Sequence, residues 1–571
     1  MKRLLSILLA TLMALAIFTG CAASTATPDA DPAPAVSSPA DAAVPPGEES
    51  DSQPDNAADA VDTNVFGPNG EIVGGTIENK MIQFPLETPE TYTAFYSLSP
   101  NTLAIIDSLS DNLFYQEMAK QTNITIDFEC PPTNAVQERF SLMLASQNLT
   151  DIIYGFYNYY TQGVDHGIEE GLIYALEDYV DWFPNYQAVR TCTYENELNT
   201  LSDEGHIWGF ACVCTIEQGS WYGPVARKDL LEKYNLPMPV TYDDWDNVLA
   251  TFLANEEGME QGPFNLPSTC FSVFSGWSGG FNCGGEYTFN NQDGTVVFSA
   301  LTDGYKEAVE LMKSWWDKGY IHKDFTNATG SQERITRGEV GIWEQLYDMS
   351  QFRVFFDPAK EWDVVPLTPP VRQAGDVIHF RQCQSQTRVN LSYVLSTNLD
   401  ETGLQHLCAY LDRFYMAENS VLTNWGIENL TFTYDENGEK IYTDLIRDNP
   451  DGASFLIANE IYLGGRNMAG LYEWTRECDE ETLAAMDAWN VADCDWVYPD
   501  CATLNAAENE EYASIFSDIQ TRISETIPAF ITGTKPMSEW DSFIQTIKDM
   551  NIDRCIEIKQ QELDRYYSRM D

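Results

Sequence analysis

The hydrophobic period of the chain changes three times between residues 111 and 154, which gives four successive segments. Residues 112–121, capped by Asp111, place Phe114 and Met118 on one helical face, and apolar and polar residues then alternate over 124–129. Residues 135–147 again have a helical stripe, and 151–154 form a short apolar strand. Helices and strands of these lengths, in this alternation, predict a parallel sheet joined by right-handed crossovers.

The same alternation returns later in the chain. Residues 225–252 indicate a strand and helix with Thr241 as cap, and residues 303–318 form the clearest amphipathic helix, with Trp316 inward and Gly319 as its stop. Two further helices are predicted to begin at about Ser538 and Asp553. Two α/β lobes with a cleft between them are therefore expected, and ligands of such folds bind where loops meet at the carboxyl ends of strands.

A change of composition separates these lobes from the N-terminal segment. Residues 22–62 are rich in Ala, Pro, Asp and Ser and hold no aromatic residue, so they are predicted to be a disordered tether. Aromatic-rich sequence begins at about Met81. The remaining chain, roughly 490 residues, exceeds what one hydrophobic core supports, which also favours two lobes.

The N-terminus has the pattern of an export signal. Lys2 and Arg3 precede an apolar run over residues 4–18, and small residues then lead to Cys21. The stretch 18–21 resembles the bacterial lipobox, which implies lipidation of Cys21; the alternative is an ordinary cleaved signal with an incidental cysteine. No other segment has the ~20 consecutive apolar residues of a membrane span, so the lipid is expected to be the only anchor.

Charge and cysteine content exclude several classes of function. The net charge of −56 argues against binding to nucleic acid or to anionic lipid. Thirteen cysteines are spread along the chain, and Cys212 with Cys214 lacks a second ligand pair nearby, so no zinc site is expected. The stretch 435–438 fits a hairpin turn better than a calcium loop. No metal and no cofactor are predicted.

Several segments, taken in order, resemble family 1 extracellular solute-binding proteins, in the large lipoprotein subgroup of Gram-positive bacteria. The segments that carry the resemblance are 111–124, 139–146, 151–154, 226–231, 236–245, 305–308, 316–319, 425–428, 435–438, 530–533 and 558–566. The resemblance implies a two-lobed, type II periplasmic-binding-protein-like α/β fold with hinged lobes, capture of a ligand by closure, delivery to an ABC permease, and often an oligosaccharide as ligand. The chain departs from the family pattern at 148–151 and 429–430, near the expected cleft.

Aromatic residues in Gly-rich or strand-end settings are the candidate ligand-binding residues. Sugar rings bind with their C–H faces on aromatic rings, while their hydroxyls bind to short polar groups. The principal candidates are Trp221, Tyr222, Trp277, Trp343, Glu344 and Tyr347, and the weaker ones are Asn112, Phe156, Tyr157, Arg381 and Trp425. Glycines around Trp277 are expected to leave it exposed, whereas Arg227, Asp229 and Trp540 are assigned to structural roles.

Three alternatives to a transport protein stay open. Residues 276–280 fit the Gly-x-Ser-x-Gly pattern of esterases, with Ser278 as nucleophile, but the sequence after them is turn-rich and no downstream histidine has a recognisable setting. Carboxylates for glycoside hydrolysis are available by chance in so acidic a chain. A surface adhesion module is the third alternative.

The hypothesis is an extracellular, lipid-anchored substrate-binding protein of an ABC importer that is a monomer and not an enzyme. Residues 1–20 are the signal peptide and 21–80 the lipidated cysteine and tether. Lobe 1 is expected to hold 82–214 plus 352–414, and lobe 2 to hold 215–351 plus 415–571.

Overall fold

A computed structural model describes the protein over residues 77–569. It leaves out the following positions: 215–219, 221, 269, 271–275, 286–287, 347–359, 361, 381–386, 437, 448, 451, 454, 465–467, 470–479 and 494–495. Three candidate residues, Trp221, Tyr347 and Arg381, lie outside the described residues, as does Cys21.

Thirteen strands occur in the part of the chain that the structure describes. They are β1 (Glu90–Phe95), β2 (Ile124–Glu129), β3 (Ile152–Tyr154), β4 (Phe210–Cys214), β5 (Tyr222–Arg227), β6 (Phe289–Gln292), β7 (Thr295–Phe298), β8 (Ile342–Leu346), β9 (Val364–Pro366), β10 (Thr387–Leu395), β11 (Phe432–Tyr434), β12 (Lys440–Tyr442) and β13 (Met468–Ala469).

Eighteen α-helices occur in the described residues, with short 3-10 helices between several of them. The α-helices are α1 (Leu113–Thr122), α2 (Val136–Ser146), α3 (Phe156–Tyr159), α4 (Val164–Glu169), α5 (Pro184–Arg190), α6 (Tyr194–Thr200), α7 (Lys228–Lys233), α8 (Tyr242–Asn255), α9 (Asp303–Asp317), α10 (Ser331–Thr336), α11 (Glu401–Asp412), α12 (Ala417–Asn424), α13 (Asp444–Arg447), α14 (Phe455–Tyr462), α15 (Glu480–Trp489), α16 (Ala506–Ile531), α17 (Trp540–Asp549) and α18 (Ile552–Ser568).

A six-stranded sheet forms the centre of the first lobe, in the order β13-β4-β10-β3-β1-β2. The pairs β1–β2 and β1–β3 are parallel, as the alternation of helix and strand predicts, and β10 runs antiparallel to both β3 and β4. Strand β2 buries alternate residues, which agrees with its sequence period. Strand β1 is absent from the sequence prediction because its first four residues are mostly polar.

The second lobe is built around a smaller sheet in the order β8-β5-β9, in which β5 is antiparallel to both neighbours. Its principal helices follow the sequence closely. Thr241 and Asp244 form a reciprocal capping box at the start of α8, and Gly319 has the positive φ of a helix stop after α9. On α9, however, Trp315 is the fully buried residue and Trp316 is only partly buried, against Phe325.

Two short strands join the opposite sheet from the one that the sequence boundaries predict. Strand β9 lies within the range expected for lobe 1, yet it pairs with β5 in the smaller sheet. Strand β13 lies within the range expected for lobe 2, yet it pairs with β4 in the larger one. Strands of two or three residues carry no readable period, so the sequence could not assign them.

Cap positions and one turn differ in detail from the sequence pattern. Asn112, rather than Asp111, caps α1, and α17 begins at Trp540 without a side-chain cap from Ser538. Strands β11 and β12 pair antiparallel, as predicted for a hairpin, and the Glu439 N–H donates to Asp435 Oδ1 at 2.8 Å. Across the described ranges, no helix combines the length and apolarity that spanning a bilayer demands.

Candidate functional site

The carboxyl ends of the parallel strands bring a pair of tyrosines together. Tyr96 follows β1 and Tyr154 ends β3, and because these strands are parallel neighbours their ends lie at one edge of the sheet. The two rings stack with centroids 4.2 Å apart and planes inclined by 14°. Both side chains are partly exposed. This is the edge at which ligands of open α/β sheets bind.

Further polar groups lie at the same edge. The hydroxyls of Ser97 and Tyr159 are 3.0 Å apart, and Tyr159 is the last residue of α3, which directly follows β3. Burial raises the pKa of Tyr154 and Tyr96 well above the ordinary value. Both phenols therefore keep their protons and can donate hydrogen bonds at neutral pH.

A carboxylate from a distant part of the chain completes this group. Glu460, on α14, accepts a hydrogen bond from the Thr102 hydroxyl, and burial raises its pKa. Its charge in turn raises the pKa of both Tyr96 and Cys130, the residue that follows β2. We call Tyr96, Ser97, Tyr154, Tyr159 and Glu460 the tyrosine edge. An apolar cavity of about 10 Å³ lined in part by Tyr96 and Tyr154 is too small for a sugar ring.

Asn112 helps to place Glu460 and does not face a ligand. Its side chain is fully buried, and its oxygen accepts from the Phe114 N–H at 2.7 Å to cap α1. Its amide donates to the backbone oxygens of Glu460 and Leu463 at 3.0 and 2.9 Å. The prediction that Asn112 binds ligand is therefore wrong, because its donors and acceptor are used within the lobe.

Two neighbouring candidates also serve packing in this structure. Phe156 is fully buried, with its ring centroid 5.8 Å from that of Phe140, so its prediction as a ligand contact is wrong. Tyr157 is partly buried and stacks on Trp208 at 5.9 Å, which occupies one of its faces. Its role in binding stays a prediction.

A second group gathers three candidates from the smaller sheet. The Trp277 backbone N–H donates to Glu344 Oε1 at 2.8 Å, and the Tyr222 hydroxyl donates to the Glu344 backbone oxygen at 3.2 Å. Burial, and then the charge of Glu344, raise the pKa of Tyr222. We call these three residues the Glu344 cluster. The structure thus brings together residues that are separate in the sequence.

The expected exposure of Trp277 is wrong. Its side chain is 0% exposed, and its indole N–H donates to the Cys270 carbonyl at 3.1 Å. The flanking glycines serve close packing: a Cβ on Gly280 would meet the Pro370 oxygen at 2.5 Å, and one on Gly276 would meet Pro224 Cδ at 2.6 Å. The loop is therefore pressed against its neighbours instead of opening the indole to solvent.

Trp343 and Trp425 are also buried, so neither ring offers a face on which a ligand could stack. Trp343 is 1% exposed in a core with Val225 and Trp489, and its indole N–H donates to Gln345 Oε1 at 2.7 Å. Trp425 is 1% exposed and packs against Tyr442, with ring centroids 4.8 Å apart. Both predictions are wrong because the rings fill hydrophobic cores.

The esterase pattern lacks the geometry of a nucleophile. Ser278 lies within a 3-10 helix (Gly276–Phe281) and is 4% exposed. The downstream histidines contact other groups: His379 Nδ1 lies 2.8 Å from Asp493 Oδ1, and His406 Nδ1 lies 2.8 Å from the Tyr92 hydroxyl. In an esterase the serine sits exposed at a strand-to-helix turn, beside its histidine.

One group in the described residues has side chains that could together ligate a metal. Ligand atoms of Asp165, Glu204 and His206 lie within 4.8 Å of one another. His206 Nδ1 is also 2.7 Å from Glu177 Oε1, so that nitrogen is already engaged. This group lies before β4 and shares no residue with the tyrosine edge or the Glu344 cluster.

Comparisons with known proteins agree on one class. A profile described as bacterial extracellular solute-binding protein matches residues 114–395. The chain is 23% identical over 527 residues to the fructooligosaccharide ABC transporter substrate-binding protein FusA of Streptococcus pneumoniae, covering 85% of this chain and 92% of FusA. It is 25% identical over 237 residues to the polygalacturonan/rhamnogalacturonan-binding protein YtcQ of Bacillus subtilis, covering 40% of this chain and about 45% of YtcQ.

Solved structures show the same fold. An extracellular solute-binding protein from Bifidobacterium longum subsp. infantis superposes with a TM-score of 0.67 at 15% identity, covering 84% of this chain and 98% of that one. FusA in complex with kestose superposes with a TM-score of 0.63 at 19% identity, covering 84% and 99%. The two-lobed α/β architecture is therefore that of the solute-binding proteins.

Proposed function

This chain belongs to the bacterial extracellular solute-binding proteins, and on that premise we propose that it captures an oligosaccharide and passes it, chemically unchanged, to an ABC importer. The relatives named above are binding proteins for fructooligosaccharide and for polygalacturonan or rhamnogalacturonan. The two relatives bind different classes of sugar, and both are described as binding proteins. The class of ligand that they share is a short carbohydrate chain.

The observation that carries the proposal is the tyrosine edge. Tyr96 and Tyr154 offer partly exposed aromatic surface beside the carboxylate of Glu460. A sugar ring has apolar C–H faces that pack on aromatic rings and hydroxyls that donate to carboxylates, so it matches both features at once.

Capture follows from the two-lobed architecture. The ligand binds first at the tyrosine edge, and the Glu344 cluster closes on it from the second lobe. Closure is favoured by the contacts that the ligand makes only in the closed state. The binding roles of Tyr222, Glu344 and Tyr157, and of Trp221, Tyr347 and Arg381, belong to this proposal.

Location and partners complete the proposal. The mature chain is held at the outer face of the cell membrane by lipid on Cys21, with residues 22–80 as tether. It acts as a monomer, hands its ligand to the permease subunits of the importer, and performs no catalysis. The lipobox-like stretch before Cys21 supports the lipid anchor.

Thermal unfolding and intrinsic tryptophan fluorescence against a ligand panel test the function. The purified protein is expected to melt at a higher temperature with at least one oligosaccharide, and to leave that oligosaccharide intact by chromatography. A response confined to peptides, metal ions or lipids would overturn the carbohydrate assignment. Turnover of nitrophenyl esters or glycosides, abolished by Ser278→Ala, would instead establish an enzyme.

A further inference from the structure

We infer that the captured oligosaccharide is uncharged, and that carboxylates of the protein at the tyrosine edge and in the Glu344 cluster reject uronate sugars. This inference rests on the proposed function and narrows its substrate class. It separates the two kinds of ligand bound by the relatives, one neutral and one acidic.

Glu460 sets the charge of the tyrosine edge. Burial raises the pKa of the Glu460 carboxyl, and the Thr102 hydroxyl donates a hydrogen bond to it. No cation is among the causes of this pKa shift. Its charge reaches Tyr96 and Cys130, whose pKa values it raises. Thr102 lies on the segment that leaves β1 just after Tyr96, so the Glu460 carboxylate that it contacts lies near the tyrosines, where it accepts from a ligand hydroxyl and repels a ligand carboxylate.

Cations near these strands are accompanied by carboxylates. Arg139, on α2, pairs with Glu129, the last residue of β2. The charge of Arg388, on β10, lowers the pKa of Asp500, but burial has the larger effect and raises that pKa to about 7. A sugar carboxylate would have to displace Glu129 from Arg139, and that exchange offers no net gain in charge pairing.

The Glu344 cluster also carries a negative charge, on the Glu344 carboxylate. Glu344 is 8% exposed, and its Oε1 accepts from the Trp277 N–H. Its charge raises the pKa of Tyr222, which shows that its field reaches the phenol. Like charges brought together at a closed interface repel each other, so a uronate opposes closure. The chain's net charge of −56 also repels anions at long range.

Binding is measured by calorimetry with oligosaccharides of equal length. The panel comprises neutral fructo-, gluco- and galacto-oligosaccharides, galacturonate oligomers and glucosamine oligomers. The tightest ligand is expected to be neutral. Oxidation of one primary hydroxyl of that ligand to a carboxylate is expected to weaken binding at least tenfold.

Substitution of the carboxylate tests its role directly. Glu460→Gln keeps the side-chain shape. It is expected to reduce the difference in binding affinity between the neutral ligand and its oxidised form. Glu439→Gln, at an exposed position before β12, is the matched control and should leave the difference unchanged. Circular dichroism of each variant confirms that it is folded.

Each remaining outcome is decisive. A uronate that binds as tightly as its neutral counterpart overturns the inference and leaves the oligosaccharide function standing. A glucosamine oligomer as the tightest ligand assigns a cationic sugar and also overturns it. Failure of every carbohydrate to bind removes the proposed function together with the inference.

Discussion

Asp203 and Arg569 lie 366 residues apart and form a buried ion pair, in which Asp203 Oδ1 accepts from the arginine Nη2 at 2.7 Å and from its Nε at 2.9 Å. Arg565 also reaches Asp203, and the Tyr566 hydroxyl donates to Asn199 at 2.7 Å. These contacts fasten the end of α18 to the segment between α6 and β4. The last helix is thereby tied to the segment that leads into β4 of the six-stranded sheet.

Asp203→Asn is expected to lower the free energy of unfolding by about 3 kcal/mol, because it leaves two arginines beside a neutral side chain in a buried setting. Denaturant unfolding measures the change. Asp317→Asn is the matched control, because Asp317 is mostly exposed in its pair with Lys313. This substitution should change the free energy of unfolding by less than about 0.5 kcal/mol. Equal effects of the two substitutions would contradict a special role for Asp203.

Tyr154→Ala is expected to weaken oligosaccharide binding at least tenfold, or ~1.4 kcal/mol, because it removes one ring of the stacked pair. Tyr154→Phe keeps the ring and should lose less affinity, which separates stacking from hydrogen bonding by the hydroxyl. Calorimetry with the tightest ligand is the measurement. Tyr434→Ala, an exposed tyrosine on β11, serves as the control. Unchanged affinity in Tyr154→Ala would exclude the tyrosine edge as the site.

Trp343→Ala is expected to destabilise the protein by about 3–5 kcal/mol, because it empties a core position between Val225 and Trp489. The milder Trp343→Phe should remain folded and keep full ligand affinity. Denaturant unfolding and calorimetry are both needed. A large loss of affinity in folded Trp343→Phe would restore the stacking role that burial argues against.

Asp412 makes a pH-dependent contribution to stability. It is buried, its two oxygens accept from Asn185 Nδ2 and the Tyr186 N–H, and burial raises its pKa from 3.8 to about 7. The folded state thus holds a proton that the unfolded chain releases above about pH 4. The stabilising effect of that proton is complete below pH 4 and is lost as the pH rises through 7.

Asp412→Asn removes this titration. Its stability relative to the unsubstituted protein is expected to improve steadily between pH 4 and pH 7, whatever constant cost the amide adds by losing one acceptor. Urea unfolding at several pH values in this range measures the difference. A difference that does not change with pH would show that Asp412 is ionised in the folded protein throughout.

Sequence reasoning succeeded where local periodicity and capping determine the structure. The alternating residues of β2 and the capping box of Thr241 and Asp244 are local features, and the structure has both. The resemblance to solute-binding proteins is confirmed by the profile match over residues 114–395. These features need no knowledge of which distant segments meet.

The candidate site could be predicted only in part, because its composition depends on long-range contacts. Glu460 reaches the tyrosine edge through hydrogen bonds between Asn112 and α14, and no local pattern marks that carboxylate. A glycine-rich loop around Trp277 is compatible either with an exposed ring or with tight packing, and only the positions of Pro224 and Pro370 decide between them. Adjacent residues such as Trp315 and Trp316 differ by about 100° around a helix, within the error of a helix-face assignment.

Strand β10 lies between β3 and β4, although both of those strands come much earlier in the chain. Until β10 is synthesised, β3 and β4 have no common neighbour that holds them side by side. Fragments that end before Thr387 would consequently present two open sheet edges, each able to pair with another chain. A polypeptide whose central strand is synthesised so late is therefore most exposed to edge-to-edge aggregation before residue 387 is reached.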